Sequence, residues 1–68
     1  MVYVLWLVLA FSGGEGYKDV VASYATFSEC QGDLIRTRRD KVIQDLFVKV
    51  EKESGSSTLI CLPAGTKP

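Results

Sequence analysis

Two cysteines, Cys30 and Cys61, carry the most distinctive chemistry in this chain. The chain has no histidine, so it lacks the commonest general base and the commonest metal ligand in proteins. Two cysteines alone do not supply the four ligands of a structural zinc site, and we expect no metal. Three states stay open for the pair: a disulfide, two buried free thiols, or a reactive Cys30 thiolate stabilised in the first turn of a predicted helix.

A basic cluster is the second candidate for chemistry, and it consists of Arg36, Arg38, Arg39 and Lys41. Clustered cations on a helix are typical of nucleic-acid contacts. Here, however, the acidic residues Asp33, Asp40 and Asp45 lie among them, and the eight basic and eight acidic residues of the chain cancel. The pattern therefore indicates a solvated helix face, and we expect no nucleic-acid partner.

The glycine-rich segment 13–16 resembles a phosphate-binding loop only superficially. No Lys-Ser or Lys-Thr pair follows it, and the next segment is a predicted strand instead of a helix. The segment therefore indicates a turn. The carboxylates are scattered along the chain, and Ser, Cys and Asp have no histidine to work with. We expect no catalytic residues, no cofactor site and no enzymatic activity.

The apolar run from Val2 to Phe11 indicates how the rest of the chain is organised. It has about half of the roughly 20 apolar residues that a membrane-spanning helix needs, and no Lys or Arg precedes it as in a secretory signal. Its Val, Leu, Tyr, Trp and Phe residues favour a strand that is buried on both faces. An anchor or an uncleaved signal is the alternative, and it would place the chain at a membrane.

A second strand is predicted over residues 17–27, after the glycine turn. Two strands joined by a short turn are antiparallel neighbours. The alternation of side chains places Val20, Ala22 and Tyr24 on one face of this strand. A last strand is predicted over residues 58–62, where Pro63 ends it.

One long helix is predicted between these strands, from Ser28 as its N-cap to about Glu53. Its apolar positions share one face at helical spacing: Ile35, Val42, Ile43, Leu46, Phe47 and Val50. Residues 46–52 also alternate at the strand period, so a shorter helix followed by a hairpin is the alternative. A helix of some 25 residues is about 37 Å long. A Cys30–Cys61 bridge therefore requires that helix to end early or to tilt.

Together these elements predict an α+β fold in a single domain over residues 1–68. The order is β-β-α-β, with a three-stranded antiparallel sheet of order 2-1-3 and one long helix on one face; the alternative is β-β-α-β-β. One helix covers one face only, yet the first strand is apolar on both, and an exposed apolar face is typical of an interface. The candidate interface consists of Val2, Val4, Trp6, Val8 and Tyr24. We expect a homo-oligomer, most simply a dimer with two-fold symmetry.

The layout resembles a group of very short proteins of tailed bacteriophages and prophages. The resemblance lies in the apolar opening strand, the Gly/Ser turn, Phe27-Ser28 at the end of the second strand, Glu29-Cys30 at the helix start, and Cys61-Leu62-Pro63 near the end. It covers most of the chain with short motifs, and the group has no agreed activity to transfer. It implies an accessory or host-directed viral protein, favours the host cytoplasm and favours pairing of Cys30 with Cys61, although the helical segment is longer here.

The sequence therefore predicts a small non-enzymatic interaction protein that self-associates through its sheet and binds or inhibits a host protein. The alternative is a small membrane- or envelope-associated protein that uses residues 2–11 as an anchor or uncleaved signal. A thiol-dependent enzyme acting through Cys30 is a third hypothesis. The identity of the partner and the pathway are outside what the residues indicate.

Overall fold

The computed structural model describes residues 1–68 as a three-stranded sheet with two helices on one of its faces. The elements are β1 (Tyr3–Ala10), β2 (Gly16–Tyr24), α1 (Phe27–Arg39), α2 (Lys41–Lys52) and β3 (Ser56–Pro63). β1 lies between β2 and β3 and is antiparallel to both. The predicted α+β class and the strand order 2-1-3 are confirmed, and the apolar opening run is the central strand.

The turn between β1 and β2 is built by residues 11–15. The amide of Phe11 donates to the carbonyl of Glu15 at 2.9 Å, and the amide of Gly14 donates to the carbonyl of Phe11 at 3.0 Å. Gly14 has a φ of 86°, a conformation that glycine adopts without the steric cost of a Cβ. The glycines therefore serve the hairpin, as the sequence predicts.

β2 contains a bulge that divides its side chains between the two faces of the sheet. Leu5 lies opposite Ala22, but the next residue, Trp6, lies opposite Val20, so that Val21 has no partner in β1. An extra residue of this kind reverses the alternation of side chains on either side of it. The predicted common face of Val20, Ala22 and Tyr24 is therefore wrong, because Val20 lies on the face of Trp6.

The predicted single long helix is also wrong, since Asp40 divides it into α1 and α2. Asp40 has an extended ψ of 130°, and its carboxylate accepts hydrogen bonds from the amides of Val42 at 2.8 Å and Ile43 at 3.4 Å. It thus ends α1 and serves as the N-cap of α2, the position that aspartate favours. Residues 46–52 lie in α2, so the alternative fourth strand is not formed.

The N-terminus of α1 lies earlier than predicted, because Thr26 and not Ser28 is the N-cap. The Thr26 hydroxyl accepts from the amide of Glu29 at 3.1 Å, and it donates to the Glu29 carboxylate at 3.0 Å. A Thr followed three residues later by a Glu is a capping-box pair. This pair begins two residues before Ser28, the predicted N-cap.

The core lies between the helices and one face of the sheet. Its central cluster contains five buried residues: Leu5, Cys30, Leu34, Leu59 and Cys61. Leu9 and Val50 are the other two buried residues of the chain. The predicted apolar helix face is only partly correct. Ile43, Phe47 and Val50 pack toward the core, whereas Ile35 and Val42 are exposed, because the break at Asp40 gives the two helices different orientations.

α2 ends in a turn that sends the chain directly into β3. Ser54 has a φ of 61°, the amide of Gly55 donates to the Val50 carbonyl, and the amide of Ser54 donates to the Glu51 carbonyl. These two bonds form a Schellman motif, in which the left-handed position is usually glycine. In this chain a serine occupies that position and the glycine follows it.

We predict that Gly55→Ala lowers the free energy of unfolding by about 2–3 kcal/mol, the usual cost of overpacking. A Cβ at residue 55 would lie 2.7 Å from the Ala10 carbonyl oxygen and 2.8 Å from a Val50 side-chain carbon. The neighbouring change Ser54→Gly is the matched control. It should raise stability by about 0.5–1 kcal/mol, because it relieves a positive φ. Urea denaturation measures both, and equal effects at the two positions would contradict this turn geometry.

Candidate interaction surface

The face of the sheet opposite the helices is an apolar surface that the two helices leave uncovered, and we call it the open face. Leu5, Leu7 and Leu9 of β1 point toward the helices, so the alternate residues of β1 and their cross-strand partners point away from them. The centre of the open face consists of Val4, Trp6, Val8, Val20, Ile60 and Leu62. Val2 extends it at one end.

The exposure of the open face is uneven. Val20 is 46% and Val2 is 47% exposed, whereas Trp6, Ile60 and Leu62 are half-buried. Lys18 is the one charged strand residue on this side, since it lies opposite Val8. The centre of the open face is therefore apolar, with Lys18 as its one charged strand residue and with Ser23 and Thr58 on the outer strands at opposite corners.

Residues 64–68 connect the end of β3 to Lys18 on this side of the sheet. The amide of Ala64 donates to the Val2 carbonyl at 2.8 Å, which holds the start of the segment beside β1. At its other end, Lys18 Nζ donates to the carbonyl oxygen of Pro68 at 2.6 Å, and Pro68 is half-buried. β3 and β2 are on opposite sides of β1, and Lys18 lies on the open face. The direct path from the end of β3 to Lys18 therefore runs over this face, and residues 64–67 are themselves exposed along it.

Trp6 lies at the middle of this surface, between Val20 of β2 and Ile60 of β3. Its indole Nε1 is inaccessible to solvent and has no hydrogen-bond acceptor. A buried donor that lacks a partner typically costs about 1–3 kcal/mol. The centre of the open face therefore holds an unsatisfied group in the conformation seen here.

The structure divides the predicted interface residues between two faces. Val2, Val4, Trp6 and Val8 lie together on the open face. Tyr24 lies on the opposite face, where it is opposite Tyr3 and packs against the core. Val20, Ile60 and Leu62 belong to the surface but were missed. The sequence could have assigned Ile60 and Leu62 to this face, because they flank Cys61 and alternate with it along the strand. No feature of the sequence indicates the bulge that places Val20 there.

Tyr24 instead connects β2 to α1 through a short polar chain. Its hydroxyl donates to the carboxylate of Asp33, and Asp33 pairs with Arg36 at 3.2 Å on the outer side. The hydrogen bond to Asp33 and the nearby negative charge both favour the neutral phenol, and burial adds to them. Together they raise the pKa of Tyr24 to about 12. On the exposed end of β2, a hydrogen bond to Asp19 raises the pKa of Tyr17 in the same way.

The two cysteines form a disulfide in the middle of the core. Cys30 is fully buried in the first turns of α1, and Cys61 lies in β3 opposite Leu5, with the two Cα atoms 6.2 Å apart. Of the three states that the sequence leaves open, this is the one in the structure. The bond joins the helical layer to the sheet at the most buried point of the molecule.

The remaining candidate motifs lie on the surface. Arg36, Arg38 and Arg39 are exposed in the last turn of α1, where cations interact favourably with the helix dipole. Lys41 begins α2 and is exposed. The structure has no pocket and no group of three or more His, Cys, Asp or Glu side chains placed to hold a metal ion. Neither helix combines the length and the hydropathy that crossing a membrane requires.

Comparisons with protein-family models, with curated proteins and with solved structures find no match to this chain.

We predict that reduction of the disulfide lowers the free energy of unfolding by about 3 kcal/mol, because it releases a loop of 31 residues in the unfolded chain. Oxidised and reduced forms of the same chain provide the cleanest comparison, since every side chain is retained. Replacement of Cys30 and Cys61 by Ala should produce a similar loss and spare partner binding in whatever remains folded. Equal denaturation midpoints with and without reductant would show that the bond contributes nothing.

We predict that the Tyr24 hydrogen bond stabilises the fold below pH about 10 and loses this effect as the pH rises toward about 12. The sign follows from the raised pKa in the folded state, which means that the folded chain holds this proton more tightly than the unfolded chain does. Ultraviolet titration of the three tyrosines should show Tyr24 ionising last. Tyr24→Phe should remove that late step and about 1 kcal/mol of stability at neutral pH.

Tyr17→Phe is the control for this experiment, because its hydrogen bond to Asp19 is exposed. Its denaturation midpoint should stay close to that of the wild type. Loss of the late ionisation step in Tyr17→Phe instead of Tyr24→Phe would show that the Asp33 contact has been assigned to the wrong tyrosine.

Proposed function

We propose that this chain is a small non-enzymatic interaction protein that forms a two-fold dimer through its open face. The observation that carries the proposal is the apolar centre of the open face, which the two helices leave uncovered. Contiguous apolar surface of this kind is typical of a protein interface. The proposed occupant is a second copy of the same face.

The charge of the open face supports this choice of partner. Lys18 is its one charged strand residue, and the Pro68 carbonyl already accepts its hydrogen bond. A partner of opposite charge would gain little here, whereas a second neutral apolar surface matches it. In a two-fold dimer the same patch of both subunits is in contact, so any charge in the patch lies near its own copy. An uncharged patch avoids the repulsion that like charges would create.

The small core supplies a second argument. Only seven residues are buried, and a chain of this length buries a smaller share of its surface than a larger domain. Small scaffolds commonly gain stability from disulfides or from oligomerisation. This chain has one disulfide, and burial of Val2, Val20 and the half-exposed centre in a dimer would add apolar area to the core.

Beyond self-association, we propose that the protein acts as an accessory or host-directed viral protein that binds or inhibits a host protein. This part of the proposal rests on the resemblance of the opening strand, the Glu29-Cys30 helix start and the Cys61-Leu62-Pro63 ending to short phage proteins. A pull-down from bacterial lysate with the folded, oxidised chain tests it. The result that counts is one host protein retained by the wild type and lost with an open-face variant.

We predict that the chain sediments as a dimer at micromolar concentration and that Val20→Glu weakens the dimer at least about tenfold. Lys18 lies two residues away on the same face, but its ammonium already bonds to Pro68. A carboxylate buried at the centre of an apolar interface costs more than the roughly 1.4 kcal/mol that a tenfold change represents. Val20 is 46% exposed in the single chain, so the variant should still fold. Circular dichroism verifies this.

Val48→Glu is the matched control, because Val48 is 48% exposed but lies on α2, away from the open face. It should leave the dissociation constant unchanged. Sedimentation that shows only a monomer for the wild type would refute the dimer. Equal weakening by both variants would show that the surface is not specific.

A further inference from the structure

We propose that residues 64–68 are a strap that covers the open face in the single chain and competes with the second copy for it. The competition rests on the proposed function, because it requires a dimer through the open face. The position of the strap does not, because it is a property of the single chain. The inference is drawn from the hydrogen bonds at the two ends of the segment. The Ala64 amide donates to the Val2 carbonyl, and Lys18 Nζ donates to the Pro68 carbonyl across the sheet.

The contacts of the strap are those of a segment that releases easily. Between its ends, the further backbone hydrogen bond is local, from the amide of Thr66 to the Pro63 carbonyl. The distal attachment is one hydrogen bond from the side chain of an exposed lysine, together with a half-buried Pro68. Exposed contacts of this kind contribute little to stability. The closed and open positions therefore differ little in free energy.

The indole of Trp6 gives the closed position a further disadvantage. Its Nε1 is shut off from water and has no acceptor, although the face around it is only half-buried. In this proposal the strap is what shields the Nε1, so its departure admits water to this side of the sheet and the N–H regains a hydrogen bond. The covering segment thus keeps apolar surface away from solvent while it leaves one donor unsatisfied.

Competition follows from this placement. The second copy needs the surface over which the strap passes, so the apparent dissociation constant of the dimer includes the fraction of chains whose strap is open. A change that weakens the strap without touching the apolar centre should therefore tighten the dimer. Without competition, the same change would leave the dimer unaffected.

Two variants weaken the strap from opposite sides. Lys18→Thr keeps a polar, strand-favouring residue but is too short to reach the Pro68 carbonyl. Pro68→Gly keeps that carbonyl, loses the half-buried ring and leaves the sheet unaltered. Lys49→Thr is the control, because Lys49 is an exposed lysine on α2, on the other side of the sheet.

The first measurement concerns the monomer alone. Trp6 is the only tryptophan of the chain, so acrylamide quenching of its fluorescence reports access to the open face at dilutions where any dimer has dissociated. We expect more quenching in Lys18→Thr and Pro68→Gly than in the wild type and no change in Lys49→Thr. Unchanged quenching in both strap variants would overturn the strap, whatever the oligomeric state.

The second measurement is the dissociation constant of the dimer by sedimentation. We expect it to fall by about fivefold in each strap variant, the effect of about 1 kcal/mol. Tighter association supports competition. Weaker or unchanged association, with quenching raised, would overturn it and show that the strap belongs to the interface or lies outside it. If quenching rises but no variant dimerises, the proposed function fails and the competition with it.

Discussion

The disulfide between Cys30 and Cys61 is the constraint on which the arrangement of the other elements depends. It lies in the central core cluster and joins the start of α1 to the middle of β3, beside Leu5 of the central strand. With only seven buried residues, the apolar core alone is small, and the bond fixes the helical layer at its most buried point. It also requires the helical segment to fold back, because a straight helix would carry the chain too far from Cys30 before β3 begins. The break at Asp40 meets that requirement.

The class, strand order and core strand of this fold follow from the sequence because they depend on long, strongly apolar patterns. The features that the sequence did not predict depend on single residues. Asp40 could equally be a solvated residue on a helix face, and only its extended backbone, with two amides bonded to the carboxylate, makes it a cap between helices. The Thr26 and Ser28 positions each offer a capping pair, and local pattern alone does not separate them. Boundaries of this kind are decided by packing against the sheet.

The sequence predicted the open-face residues of β1 but missed those of β2 and β3. As with the helix boundaries, the outcome in β2 depends on a single residue. Alternation in β1 placed Val2, Val4, Trp6 and Val8 together, and the register agrees. In β2 the same rule failed after one bulged residue, Val21, which moved Val20 to the open face and left Tyr24 with the core. A bulge has no reliable signature in a run such as Val20-Val21-Ala22, so the exchange of these two residues becomes visible only with the strands paired.

The disulfide also bears on where the protein works. A buried bond between helix and sheet contributes fully only where it forms and persists, which is in oxidising surroundings; reducing cytosol keeps most thiols free. The resemblance to short phage proteins predicts the host cytoplasm, and the disulfide in the core argues against that prediction. In a reducing compartment the same chain would have two buried thiols, a smaller free energy of unfolding and a helical layer held by packing alone. The added area of a dimer would then matter more for stability than it does in the oxidised form. The disulfide and the proposed self-association would therefore be two sources of stability for one small core, and a chain that loses the first would depend more heavily on the second.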